Sequence, residues 1–246
     1  MGFSKKYKMN NFINVLEVGS GHGFESNLLS KKRNYKVTGI DISEENVKEA
    51  KRRFPHIDFR KMDASSLKFA DNYFDKIYMI DVLEHVDDLN KVIKEMRRVL
   101  KVGGELVVNV PAEKSEYWLL KIRPSYFKEI HHVRVFKGTE LEELLGRNKF
   151  KFAKKKSTDF LKHVELYYLF TSTNNSKSQL CIGDRESSIM NKIVFASTII
   201  FSKACLNTPL KYFPIWIVTI PIGMVVDSIG NKIMPKSAYY EFYKTG

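Results

Sequence analysis

Cysteine is nearly absent. The two present, Cys181 and Cys205, supply neither a disulfide framework nor a metal-ligand spacing, so a reducing, cytoplasmic setting is the simplest reading. Long apolar runs are missing as well. The uncharged stretch Tyr212 to Val226 has 15 residues and is broken by Pro214, Pro221 and Gly223, short of the ~20 that a bilayer-crossing helix needs. The opening Met1 to Lys6 has no apolar signal core, and Lys6 stands where a myristoylation signal wants Ser or Thr, so neither export nor an N-terminal lipid anchor is expected. Internal repeats and low-complexity runs are absent too. At 246 residues, 43% hydrophobic and 28% charged, the chain has the make-up of a globular protein with a core of its own, either one elaborated domain or two small ones. Positive charge is in excess: 41 Lys and Arg against 28 Asp and Glu give +13. That balance admits nucleic acid, an anionic membrane or acidic substrates as partners and selects none of them.

The most informative stretch is Val15-Leu16-Glu17-Val18-Gly19-Ser20-Gly21-His22-Gly23, an apolar strand that runs into alternating glycines and then, from about Phe24, into a helical pattern. Such a turn lets backbone approach a ligand and offers the unpaired N–H groups of a helix start. A dinucleotide fingerprint needs glycine at position 24, where Phe24 stands. A phosphate loop needs Lys followed by Ser or Thr, and Phe24-Glu25 is neither. A hydrolase elbow, Gly-x-Ser-x-Gly, is absent because Ser20 lies one step too early. Glu17, two residues before the first glycine, suits a ligand with cationic groups. The stretch resembles motif I of the class I S-adenosylmethionine (SAM)-dependent methyltransferases, (Asp/Glu)-x-Gly-x-Gly-x-Gly.

Further along, acids close one strand after another. Tyr35 to Asp41 reads as a second strand, and Asp41 lies twenty residues beyond Gly21, the separation that brings the end of a second strand beside the first turn. A carboxylate there can accept ribose hydroxyls; otherwise Asp41 merely starts the helix capped by Ser43. Ile57 to Lys61 is the third strand, followed by Met62-Asp63-Ala64, and Phe74 to Ile80 the fourth, followed by Asp81-Val82-Leu83-Glu84-His85-Val86. Leu89 to Leu100 is an amphipathic helix, Lys101 to Gly104 its turn, and Glu105 to Pro111 the fifth strand. Two more phrases, Leu83-Glu84-His85-Val86 and Val99-Leu100-Lys101-Val102-Gly103-Gly104 before an apolar strand, are similar to Methyltransf_11-type enzymes, including those of quinone biosynthesis. The resemblance implies a doubly wound α/β fold with a mostly parallel seven-stranded sheet. It implies SAM as cofactor, S-adenosylhomocysteine as product and no metal. By the same resemblance Glu17, Gly19, Ser20, Gly21, Gly23, Asp41, Ile42, Asp63, Ala64, Asp81 and Val82 would hold the cofactor, with Asp63 on the adenine amine.

Acceptor-side candidates follow from position. Glu84 lies at the loop after the fourth strand, and Tyr117, Trp118, Tyr126 and Arg134 lie in an aromatic-rich segment and a His-x-Arg-x-Phe phrase beyond the fifth. His85, His131 and His132 are the imidazoles available as a general base; adjacent histidines without a Cys or carboxylate cluster do not make a metal site. Thr139 caps a helix to Gly146, Phe150 to Lys156 is the sixth strand, and 238 to 244 the last, expected to run antiparallel. The expected organisation is a methyltransferase core over 1–160, a helical, apolar insertion over 161–232 and the last core strand in 233–246. From 151 onward the chain has 13 basic and 6 acidic residues. Basic and apolar together, the insertion would touch an anionic membrane surface or admit a small, hydrophobic or lipid-like acceptor; the alternative use is a plain lid or a homodimer interface. Nucleic acid is the weaker partner: the Asp-Pro-Pro-Tyr phrase of adenine-amine enzymes is replaced by Asp81-Val82-Leu83-Glu84, and both cysteines fall in the insertion. A SAM-binding scaffold or activator subunit without turnover is the non-enzymatic alternative.

Overall fold

In the computed structural model the described residues are 12–122, 124–158 and 236–246. The expected insertion over 161–232, with both cysteines and both apolar stretches, lies outside them. Those residues divide between two compact units. One gathers 12–110, 137–155 and 239–246; the other holds 111–136 with 156–158 and 236–238.

The strands are β1 (Ile13–Val18), β2 (Tyr35–Asp41), β3 (Asp58–Lys61), β4 (Phe74–Ile80), β5 (Leu100–Pro111), β6 (Phe150–Thr158) and β7 (Ser237–Lys244). The helices are α1 (Phe24–Ser30), α2 (Glu44–Arg53), α3 (Leu89–Val99), α4 (Glu113–Ile122), α5 (Tyr126–Ile130) and α6 (Glu140–Arg147), with a 3₁₀ turn over Leu83–His85. The strands make one sheet in the order β3-β2-β1-β4-β5-β7-β6. From β3 to β5 every pairing is parallel. The sheet as a whole is mixed. Thr245 N–H donates to the Lys149 carbonyl at 3.1 Å and Phe152 meets Phe242, so β7 runs antiparallel to β6. Ala112 N–H to the Lys236 carbonyl at 2.8 Å, and Lys244 Nζ to the Leu100 carbonyl at 2.7 Å, set it antiparallel to β5 also.

Because helices cover both faces of a parallel sheet, its inner strands are buried along their length rather than in alternation. That is the pattern of β1 from Val15 to Val18 and of β2 from Val37 to Asp41. Over β1 to β3, Leu29 of α1 and Val47 and Ala50 of α2 pack on Val15, Val37, Ile57 and Phe59. In α2, Ser43 Oγ caps the start by accepting from Asn46 N–H at 3.2 Å, and Phe54 ends the helix before Pro55. In α3, Asp88 caps by accepting from Lys91 N–H, and Val92, Ile93, Met96 and Val99 make the buried stripe. The fifth strand begins earlier than the spacing predicts. Leu100 already pairs with Phe74, and the chain then bulges through Gly103, at φ 75°, before Glu105 rejoins opposite Lys76.

Candidate functional site

At the carboxyl ends of β1 to β4 the first unit opens a cleft of about 580 Å³. It is where an open parallel sheet places its ligands, because each strand hands over to a loop there. Val18 and Gly19, at the start of the loop Gly19 to Gly23, belong to its lining. Ser20 N–H donates to the Ile40 carbonyl and Gly23 N–H to the Ser20 carbonyl, both at 2.8 Å, which curls the loop back over β2. Gly19 and Gly23 are needed for packing: at φ 72° and 84°, a Cβ would come within 2.5 Å of Val82 Cγ2 and 2.6 Å of Phe59 Cζ. Around Gly21 nothing lies within 4 Å of a built Cβ. That opening is available to a ligand.

Three strand-end acids stand around the cleft. Asp41 is buried, and its carboxylate accepts from Gly21 N–H at 2.8 Å, Ser43 N–H at 2.9 Å and Asn46 Nδ2 at 3.3 Å. Three donors fix its direction and leave roughly one of about four acceptor positions for a hydroxyl outside the protein. Asp63 is exposed and turned by Ser65 N–H, which donates to its Oδ1 at 2.8 Å. Asp81 adopts φ 51°, an uncommon conformation for a residue with a side chain. Asn109 of β5 holds it there: the Asn109 carbonyl accepts from Asp81 N–H at 3.1 Å and its side-chain amide donates to Asp81 Oδ1 at 3.0 Å. Ile42, 71% exposed, offers an apolar face between Asp41 and Asp63, with Ala64 and Val82 on the same cleft wall.

Most of the sequence-predicted cofactor residues therefore converge: Gly19, Asp41, Ile42, Asp63, Ala64, Asp81 and Val82 all line the cleft, and so does His85. Ser20 and Gly21 are not among the lining residues, though Gly21 N–H bonds the lining Asp41, and Gly23 is the N-cap of α1. Glu17 is placed differently. It is buried, and its carboxyl takes the hydroxyl of Ser26 on α1. Glu84, on the 3₁₀ turn, is buried and does not line the cleft. Asn109 and Asn46 went unassigned in the sequence; Asn46 carried a local signal, as the N–H capped by Ser43. Asp87, Asp88 and Lys91 also line the cleft, giving five Asp carboxylates against one Lys. In a chain of net charge +13 this is a locally acidic hollow.

The second unit holds the other acceptor-side candidates. His131 is exposed, at φ 57°, and closes α5. His132 has a buried side chain whose Nδ1 lies 2.8 Å from Glu116 Oε2, and Tyr126 OH donates to Glu116 Oε1 at 3.5 Å. The Tyr126 and Phe127 rings meet the imidazole edge-on. Trp118 packs against Leu119 and Tyr126, Tyr117 is exposed, and Arg134 is half-buried. Glu116 was missed in the sequence. Its signal is an acid on the buried side of α4, beside Ala112, Ser115 and Leu119.

An adenosyl-sulfonium ligand fits this chemistry. A fixed carboxylate with one acceptor position to spare, an exposed Ile beside a second carboxylate, and a glycine open to contact match ribose, adenine and backbone approach; the surplus of acids matches positive charge. Sheet order and site together define the class I SAM-dependent methyltransferase fold, whose cofactor is SAM. Residues 16–108 match the Methyltransf_11 family model, described as a methyltransferase domain, and over them the chain carries a domain of that class. It is 40% identical over 97 residues to a 2-methyl-6-phytyl-1,4-hydroquinone methyltransferase of Synechocystis sp., covering 38% of this chain and 30% of that protein. It is 42% identical over 94 residues to a demethylmenaquinone methyltransferase of Renibacterium salmoninarum, covering 38% and 39%. A solved SAM-dependent methyltransferase from Methanosarcina mazei superposes with TM-score 0.51 at 27% identity, over 60% of this chain and 84% of that one. The matched stretch thus spans 30% and 39% of the two curated relatives' length.

Proposed function

We propose that this protein transfers a methyl group from SAM to a small, apolar acceptor of quinone-like or lipid-like character. The observation that carries the reading is the cleft itself, with the open Gly21 turn and the acids Asp41, Asp63 and Asp81 around one acidic hollow. The apolar acceptor draws support from the two curated relatives, whose names specify a phytyl hydroquinone and a demethylmenaquinone. When bound, SAM supplies a sulfonium that makes its methyl group electrophilic. Asp41, held by three donors, and Asp81, held by Asn109, would then orient the cofactor without reorganising, and the apolar wall would exclude water. In-line approach of the acceptor at the carboxyl end of the sheet is the remaining requirement. For an acceptor that carries a proton, His85 on the cleft wall is the candidate base in the first unit; His131 and His132 are the candidates in the second. The same reading places the protein in the cytoplasm and, through the basic and apolar residues of 161–232, at anionic membrane surfaces.

Methyl-labelled SAM incubated with fractionated lipid, small-molecule and RNA pools tests the function. Label in the lipid or small-molecule pool is expected. Label confined to RNA would replace the acceptor class. Binding of S-adenosylhomocysteine in calorimetry without label in any pool would leave a scaffold subunit as the function. Flotation with anionic but not zwitterionic vesicles is the expected outcome for membrane association, and equal recovery with both would reject it.

A further inference from the structure

The acid of the glycine motif is buried and is not among the residues that line the cleft. Glu17 lies on β1, opposite Gly39 of β2 on one side and Tyr78 of β4 on the other. It is 3% exposed, and Ser26, whose hydroxyl donates to its Oε2, is wholly buried. Gly39 leaves the space for that contact, because a Cβ there would stand 2.9 Å from Ser26 Oγ. Glu17 precedes the loop Gly19 to Gly23 by two residues and Ser26 follows it by three. One hydrogen bond thus ties the strand before the loop to the helix after it. It does so at a helix start whose N-cap, Gly23, makes no side-chain cap hydrogen bond.

We propose that Glu17 is a positioning residue: hydrogen-bonded to Ser26, it holds the two ends of the Gly19–Gly23 loop at their binding distance from behind, without touching the cofactor. The inference rests on the reading that this loop holds SAM. The groups facing the carboxyl are Glu25 and Ser26 on α1, Asp41 on β2 and Tyr78 on β4. Burial pushes Glu17 up to about 8, Glu25 and Asp41 add to the rise, and the Ser26 hydroxyl and amide oppose it. Tyr78, half-buried, has its phenol pushed up by desolvation and stays neutral. At neutral pH the tie is therefore made by a protonated carboxyl group. Above that range the group ionises beside two like charges, and the loop loosens.

The test is calorimetric titration of the full-length protein with S-adenosylhomocysteine from about pH 6.5 to about pH 9.5, with circular dichroism of every variant. Wild-type affinity is expected to hold at neutral pH and to fall roughly tenfold by the alkaline end. Glu17→Gln keeps the shape and the hydrogen bond without the ionisation, so it should match wild type at pH 7 within about threefold and lose the alkaline fall. Ser26→Ala, which breaks the tie from the other side, should weaken binding already at pH 7. A Glu17→Gln loss above about tenfold at pH 7, equal at all pH values, would mean an anion in direct contact with the ligand and overturn the proposal. So would unchanged affinity in a folded Ser26→Ala, which serves where the Gln variant does not fold. Wild-type protein that binds no S-adenosylhomocysteine at any pH overturns the proposed function as well.

Discussion

Asp41 shows how one side chain organises a site. Its carboxylate joins the glycine loop through Gly21, the start of α2 through Ser43, and Asn46 on that helix. Replacing it with alanine leaves buried donors without an acceptor and removes the hydroxyl partner of a ribose, each a loss of about 1–3 kcal/mol. Asp41→Ala is therefore expected to weaken S-adenosylhomocysteine binding by at least tenfold in calorimetry and to lower the unfolding midpoint. Asp63→Ala should weaken binding while leaving stability within about 0.5 kcal/mol, because Asp63 is exposed. The role of Asp41 was legible from its distance to Gly21. The direction of Glu17 was not: in a strand with both faces covered, alternation does not say which layer a side chain enters. Nor was the pairing of Glu116 with His132, which are sixteen residues apart and meet only because α4 and α5 fold back on each other.

Among the elements, the turn between β1 and α1 separates two uses of glycine. Gly23→Ala would press a methyl into Phe59 at 2.6 Å and Phe54 at 3.1 Å, at φ 84°. Overpacking and left-handed strain together cost about 2–4 kcal/mol, so denaturant unfolding should shift strongly. Gly21→Ala meets no neighbour and carries only the left-handed strain of about 1–2 kcal/mol. Its larger effect is expected on S-adenosylhomocysteine affinity, where the new methyl occupies the ligand's approach. Equal ratios of stability loss to affinity loss in the two variants would refute this division. Strand and helix limits were largely legible, since β2 and β4 run over the spans their apolar patterns indicate. The start of β5 was not, because Lys101 to Gly104 reads as a helix-ending turn and the bulge that absorbs it depends on pairing with β4.

At the scale of the whole molecule, the buried Glu17 makes stability depend on pH in an unusual direction. The unfolded chain releases this proton near 4.5 and the folded chain near 8. The folded state therefore holds the extra proton between those values. Stability is full below about pH 4.5, declines by roughly 1.4 kcal/mol per pH unit toward 8, and is flat beyond. Urea unfolding of the apo protein at about pH 5 and about pH 8 should show this loss, and Glu17→Gln should remove most of it. Charge is also distributed unevenly over the molecule. A strongly basic chain gathers five Asp around the cleft beside a single Lys, which the residue totals could not reveal.

The placement of β7 sets an order of events. It is inserted between β5 and β6, with Phe242 wholly buried, although residues 159–236 separate it from β6 in the chain. During synthesis, β1 to β5 can pair as they emerge, whereas β6, among the described strands, has no neighbour until β7 arrives. Closure of the sheet thus waits for residues 237–244 to be made, and until then the edges of β5 and β6 that β7 covers stay open to whatever else is in the cell.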